Sequence, residues 1–398
     1  MATRLDEDVV LVRGAALADG RSAELRRGVS LLVEHGVVAG VWDTGDEPPH
    51  RGRVIDASGA TIIPGMVDSH SHLSMPGGAQ WVQRGFDSTE ELLAVAEENG
   101  DLMVRAGIRW ARDVGAPRRP DPVTGGERAL SLRLRDAWRG RADRPYIRAA
   151  GTWLGKSGAL PHGLAVEVEH GADLLAAARV QLDDGADLVK LYLDGPDRDT
   201  PPFTVEEVTA VVREAHARGA RVAAHSGMLH GSQVGAAAGV DSIEHGFQLD
   251  RDAASAMAKA GTVLVSTLGV MHSWLTFTDT STVDRFTAPD SRATIGARLE
   301  AAEEGVRLAH AAGVPIAAGS DFGGGSLRAN QLAWEAEALV RAGIPPHEAL
   351  AALTWRGGDL LGDPTAGRLE VGGPAHFSLV HGDPLSDPAS LWRVWLTR

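Results

Sequence analysis

Between residues 61 and 355, short apolar runs and amphipathic stretches alternate eight times. The runs fall at 61–69, 108–114, 146–152, 186–193, 221–226, 242–245, 262–268 and 314–320. Helical patterns lie near 88–106, 169–183, 204–218, 232–238, 250–260, 291–312, 326–342 and 346–356. Parallel neighbours need a long crossover, and a helix supplies it. Eight such repeats imply an α/β protein, a closed parallel (β/α)8 barrel of the TIM type. Thr204-Val205-Glu206-Glu207 and Asp250-Arg251-Asp252 read as N-terminal caps, and Gly219 and Gly261 stand where those helices would stop. Leu327, Leu332, Ala336, Leu339 and Val340 form one apolar stripe over 326–342. The arginine-rich stretch 131–145 reads as a solvated helix in a connection.

The flanks read differently. Residues 8–63 carry short runs (Val9–Val12, Val29–Val33, Val37–Val41, Arg53–Ile55) separated by Gly, Asp and Pro turns. That style returns after about residue 365, with His376–His381 as a further run. A small β-sandwich assembled from both chain ends is expected, with 1–60 and 361–398 flanking a barrel domain at 61–360. Pro64-Gly65 marks the entry into the barrel.

Composition removes several classes of function. The 39 basic and 53 acidic side chains give a net charge of −14, unsuited to nucleic acid or an anionic membrane surface. Cysteine is absent, so there are no disulfides or thiolate metal sites. The start, MATRLDEDVVLVRG, lacks a secretory pattern, and no apolar run reaches 18 residues. A cytoplasmic protein with a small-molecule partner is expected, with homo-oligomer formation left open.

Barrel chemistry sits at the C-terminal ends of the strands. The first run ends in His70 and His72, the fourth contains Lys190, the fifth ends in His225, the sixth in His245 and the eighth in Asp321. Each alone has an ordinary explanation: a hydrogen-bonded loop histidine, a snorkelling lysine, an aspartate capping a helix. Together they bring nitrogen and oxygen ligands from five strands to one rim, and that points to metal. Asp68 falls on the same side as the two histidines by alternation and is a candidate partner for an imidazole N–H.

MVDSHSH, LVKLY, VAAHSG, DSIEHG and AAGSDFGG resemble the metal motifs of the amidohydrolase superfamily, and the tail GRLEVGGPAHFSLVHGDPLSDP resembles its return to a β-domain. GADLVKLYLDG through GVDSIEHG is most similar to its prolidase-like group, the Xaa-Pro and Xaa-Arg dipeptidases often labelled imidazolonepropionase-like. The resemblance implies two divalent metal ions, zinc before other metals. His70, His72 and Asp321 would hold the first and His225 and His245 the second. Lys190, carboxylated to a carbamate, would bridge them. It implies hydrolysis of an amide C–N bond in a dipeptide, an N-acyl amino acid or a cyclic amide. The nucleophile would be a hydroxide bridging the ions, with Asp321 as general base and then acid. A lactone, ester or organophosphate is the alternative substrate class, and a non-catalytic scaffold the third reading. Deaminase-type relatives lack the strand-four lysine and carry a glutamate three residues after the strand-five histidine; here Lys190 is present and residue 228 is methionine.

Substrate contacts are expected from Tyr192, two residues after Lys190, and from His162, whose loop resembles the glycine-histidine loop of prolidase-like enzymes. Both are candidate catalytic groups. His230 and His272 are further candidates; dipeptidase relatives carry an aromatic residue or histidine two residues after the strand-five ligand, where this chain has Gly227, and His230 would replace that group from a shifted loop. The stretches 73–87, with Trp81, and 269–289, with Trp274, read as long apolar loops lining a pocket for a substrate with a sizeable apolar part.

Overall fold

The computed structural model describes residues 3–5 and 7–398. The fold is mixed α/β, with eight parallel strands at its centre: β1 (Met66–Ser71), β2 (Ile108–Asp113), β3 (Tyr146–Ala149), β4 (Leu188–Tyr192), β5 (Arg221–Ser226), β6 (Ser242–His245), β7 (Val263–Ser266) and β8 (Ile316–Ala318). Strands β1, β2 and β3 pair side by side, and so do β4 to β8. Isolated parallel bridges join Ala150 to Leu188 and Ser71 to Phe322, where the two sheets adjoin.

Most of these strands are buried on both faces, as parallel strands covered by helices are. Val67, Ala111, Val189, Leu191, Ala223, Ile243, Leu264 and Ala317 are all fully buried. The expected caps form. Thr204 and Glu207 make a capping box, Asp250 accepts from the Ala253 N–H at 2.7 Å, and Gly261 closes its helix in the left-handed conformation at φ 74°.

A second sheet takes strands from both chain ends. Val9–Leu17 pairs with Arg26–Glu34, Phe377–His381 runs antiparallel to Ala60–Pro64, and Thr3–Arg4 lies parallel to Val394–Thr397. It has its own core around Val10, Leu31, Phe377 and Leu396.

Five elements differ from the sequence reading. The run 61–69 is two strands: Pro64 pairs with Phe377 in the terminal sheet, and Met66 pairs with Ile108 beside β2. The chain changes sheet at Gly65, where a Cβ would lie 2.9 Å from Arg109 Cγ. Both halves are buried, so hydrophobicity alone shows no break. The stretch 269–289 is largely the helix Leu268–Thr280 plus the short helix Asp284–Thr287. Its first six residues are buried on every side, which erases the amphipathic stripe. The helix expected over 326–342 starts at Leu332, leaving Leu327 buried in the preceding loop. The helix at 346–356 is split into Pro346–Ala352 and Trp355–Leu361, because the Leu353 carbonyl accepts instead from the Val67 N–H of β1 at 2.8 Å. The arginine-rich segment is a helix, Leu130–Trp138, but it buries Leu130, Leu132, Leu134 and Trp138 and is not wholly solvated.

Candidate metal centre and substrate cavity

His70, His72, Lys190, His225, His245 and Asp321 all line one cavity of about 270 Å³. Asp321 Oδ1 stands 3.4 Å from both His70 Nε2 and His72 Nε2. Donor atoms of His70, His245 and Asp321 lie within 4.8 Å of one another, a spacing that can hold one ion. The imidazole of His245 is 4.7 Å from His70 and 4.6 Å from His225, centroid to centroid.

The backbone carries some strain to achieve this. His245 at φ 71° and Asp321 at φ 50° occupy the left-handed region, as does the turn residue His35. For a residue with a Cβ this costs on the order of 1–3 kcal/mol, and such positions gather at functional sites. At His245 it also defeats strand alternation: Glu244 and His245 are adjacent, yet both reach His70. Glycine makes room around the ligands. A Cβ on Gly324 would lie 2.1 Å from His72 Cδ2, and one on Gly319 would lie 2.3 Å from His70 Cβ.

Each imidazole is fixed from behind. His70 Nδ1 is 2.7 Å from Glu244 Oε2, and His72 Nδ1 is 2.7 Å from the Gly115 carbonyl. His225 Nε2 is 3.1 Å from Asp194 Oδ2, and His245 Nδ1 is 2.8 Å from Thr267 Oγ1. A carboxylate or carbonyl only accepts, so in the first three pairs the imidazole N–H donates. The second ring nitrogen then keeps its lone pair for a metal: Nε2 of His70 and His72, Nδ1 of His225. Glu244 is itself held by Arg112 at 2.6 Å and by the Ser242 hydroxyl at 2.5 Å. Burial pushes the Glu244 carboxyl up, but Arg112 and Lys190 outweigh it and keep it ionised. Burial, then the charges of Lys190 and its neighbours, drives His70 well below the usual imidazole range; burial and His225 do the same for His245. Both are therefore neutral, the state in which imidazole ligates.

Lys190 is fully buried, and its Nζ has no hydrogen-bond partner. Burial lowers its amine to about 8. Tyr192 stacks on His225 at 4.0 Å and 8°. Burial, then Asp194 and Asp321, raises its phenol, which stays protonated.

Tyr192, Trp81 and Trp274 stand in the cavity wall as expected from the sequence, and the two indoles stack at 5.8 Å and 18°. Three histidines do not. His162 is 93% exposed and bonded to Glu167 at 2.7 Å. His230 sits in the helix Leu229–Ala238 and does not line the cavity. His272 is buried, accepts from Arg341 at 3.2 Å, and is lowered to about 4 by burial and then Arg341. Asp68 does not serve an imidazole ring. It accepts from the His70 backbone N–H at 3.2 Å and from Ser320 N and Oγ at 3.0 and 2.6 Å, tying β1 to the segment after β8. Sequence reasoning missed Arg112, Asp194 and Glu244. For Arg112 and Glu244 the available signal was a charge inside a buried-looking strand; Asp194, two residues beyond the end of β4, offered none.

The sequence pattern of the Amidohydrolase family matches residues 61–396. The chain belongs to the amidohydrolase family. As an amidohydrolase it is a hydrolase acting on C–N bonds of small molecules. It is 32% identical to an uncharacterised protein of Mycobacterium bovis over 77% of this chain and 76% of that one. It is 28% identical to the imidazolonepropionase of Ectopseudomonas mendocina over 93% and 90% of the two chains. The solved structure of a Xaa-Pro dipeptidase with bound methionine in its active site superposes with a TM-score of 0.83 at 26% identity, covering 97% of each chain. No helix among the described residues of this amidohydrolase is long and apolar enough to cross a membrane.

Proposed function

We propose that the chain is a binuclear metal-dependent hydrolase cleaving an amide C–N bond on a closed (β/α)8 barrel. One observation carries the reading: six candidate ligands from five strands line one cavity, and all four imidazoles are oriented from behind. Barrel closure is supported by the two parallel bridges where the sheets adjoin. His70, His72 and Asp321 would hold one ion and His225 and His245 the other. The N/O donor set suits zinc. The unpartnered Nζ of Lys190 supports carboxylation. Addition of the amine to carbon dioxide, with loss of a proton, would give a carbamate able to help hold both ions. Bound together, two divalent cations supply a water of depressed pKa and a Lewis acid for the substrate carbonyl.

The chain's own groups do the rest. Asp321, 3.4 Å from two imidazoles, takes the proton of the attacking water and delivers it to the leaving nitrogen. The protonated Tyr192 phenol donates to the carbonyl oxygen. His162 points into solvent and receives no role. A lactone or ester could use the same groups. The test is zinc-loaded enzyme on matched amide, ester and lactone analogues, with bound metal measured. Amide turnover with two ions per chain is expected; turnover of esters or lactones alone transfers the assignment to C–O hydrolysis.

A further inference from the structure

The cavity is charged at its floor and uncharged elsewhere. Above the six ligand positions the wall is Trp81, Trp153, Leu164, Phe247, Val270, Trp274 and similar apolar groups, with the Tyr192 phenol as its one hydroxyl. Among the described residues no arginine lines it, no lysine besides Lys190 and no carboxylate besides Asp321. The cations nearby are committed elsewhere. The Arg285 guanidinium stacks on Trp81 at 3.8 Å, outside the wall, and Arg341 donates to His272 behind it.

A free dipeptide carries an ammonium at one end and a carboxylate at the other. Bound here, both would lose water without gaining a counter-ion, which burial penalises heavily. We infer that the substrate is a neutral, lipophilic amide (an anilide, aryl amide, carbamate or urea with no free carboxylate or ammonium), whose flat apolar group lies against Trp81 and Trp274. This rests on the amide hydrolysis proposed above and narrows it. It separates this chain from the dipeptidase whose structure it resembles. In the reaction the carbonyl carbon gains the oxygen of water, the C–N bond breaks, and Asp321 passes the proton to nitrogen, which leaves as a neutral amine.

Two matched pairs test it on the zinc-loaded full-length enzyme. N-phenethylbenzamide differs from N-benzoylphenylalanine by one carboxylate, and 3-phenylpropionanilide differs from phenylalanine anilide by one ammonium. In each pair the neutral member is expected to have a kcat/KM at least 100-fold higher, with the free dipeptide Phe-Phe poorest of all. A charged member that equals or exceeds its neutral partner overturns the inference and leaves amide hydrolysis standing. Failure of all five compounds, with two ions bound, overturns amide hydrolysis and this inference with it.

Discussion

At the floor of the cavity every imidazole hands one ring nitrogen to a partner, Glu244, Gly115, Asp194 or Thr267, and Glu244 is anchored in turn by Arg112. At the wall, Trp81, Trp153 and Phe247 are placed by packing, and the buried indole N–H of Trp274 has no partner at all. The floor bears left-handed backbone at His245 and Asp321, while no wall residue with a side chain does. Polar networks admit one arrangement, and apolar packing admits several of similar volume. The floor therefore fixes the chemistry, and the wall selects the substrate and tolerates change.

That contrast breaks most visibly at Lys190. Lys190→Ala is expected to lower kcat/KM by roughly 10³-fold or more, since it removes the group proposed to hold both ions. Activity within a few-fold of wild type would place Lys190 with the wall. Asp194→Asn keeps one acceptor oxygen, so it retains the bond from Gly227 N–H or from Met228 N–H but not both, and it loses the charged acceptor for His225. It should weaken metal affinity by roughly 10–100-fold in a chelator competition, beyond any loss in the melting temperature of the metal-free protein. Trp274→Ala tests the wall: KM for an aromatic amide should rise roughly tenfold while kcat stays within a few-fold. Equal losses in kcat would move Trp274 to the floor.

The smallest effect concerns Glu335, fully buried under the segment that holds His245. It accepts from Ser266 Oγ at 2.5 Å and from Gly269 N at 2.7 Å, and burial raises it to about 7. The folded protein thus keeps a proton that the unfolded chain releases near 4.5. Its contribution to stability is complete below that pH and is lost as pH rises through about 7. Glu335→Gln should gain on wild type by a few degrees in melting temperature between pH 5 and pH 8. A constant difference across that range would show that Glu335 does not titrate there.

The same contrast explains what could be read from sequence. The proposed ligand positions were legible because they lie at or near the C-terminal ends of five strands, from His70 to Asp321, and strand ends set the rim. Their partners were not, because Glu244 and Asp194 meet the imidazoles, and Arg112 meets Glu244, across 31 residues or more, and a φ of 71° at His245 breaks the alternation that would have sorted Glu244. His162 was misread because a loop's direction is set by contacts such as Glu167, not by its glycines. The 61–69 run hid a change of sheet at Gly65, and buried apolar turns hid the helix Leu268–Thr280.

Metal content per chain, in wild type and Lys190→Ala expressed with zinc, tests the central claim most directly. The account predicts two ions in wild type and one or fewer in the variant, with the secondary-structure spectrum unchanged. One ion in wild type, or two retained by Lys190→Ala, would contradict a centre bridged by Lys190.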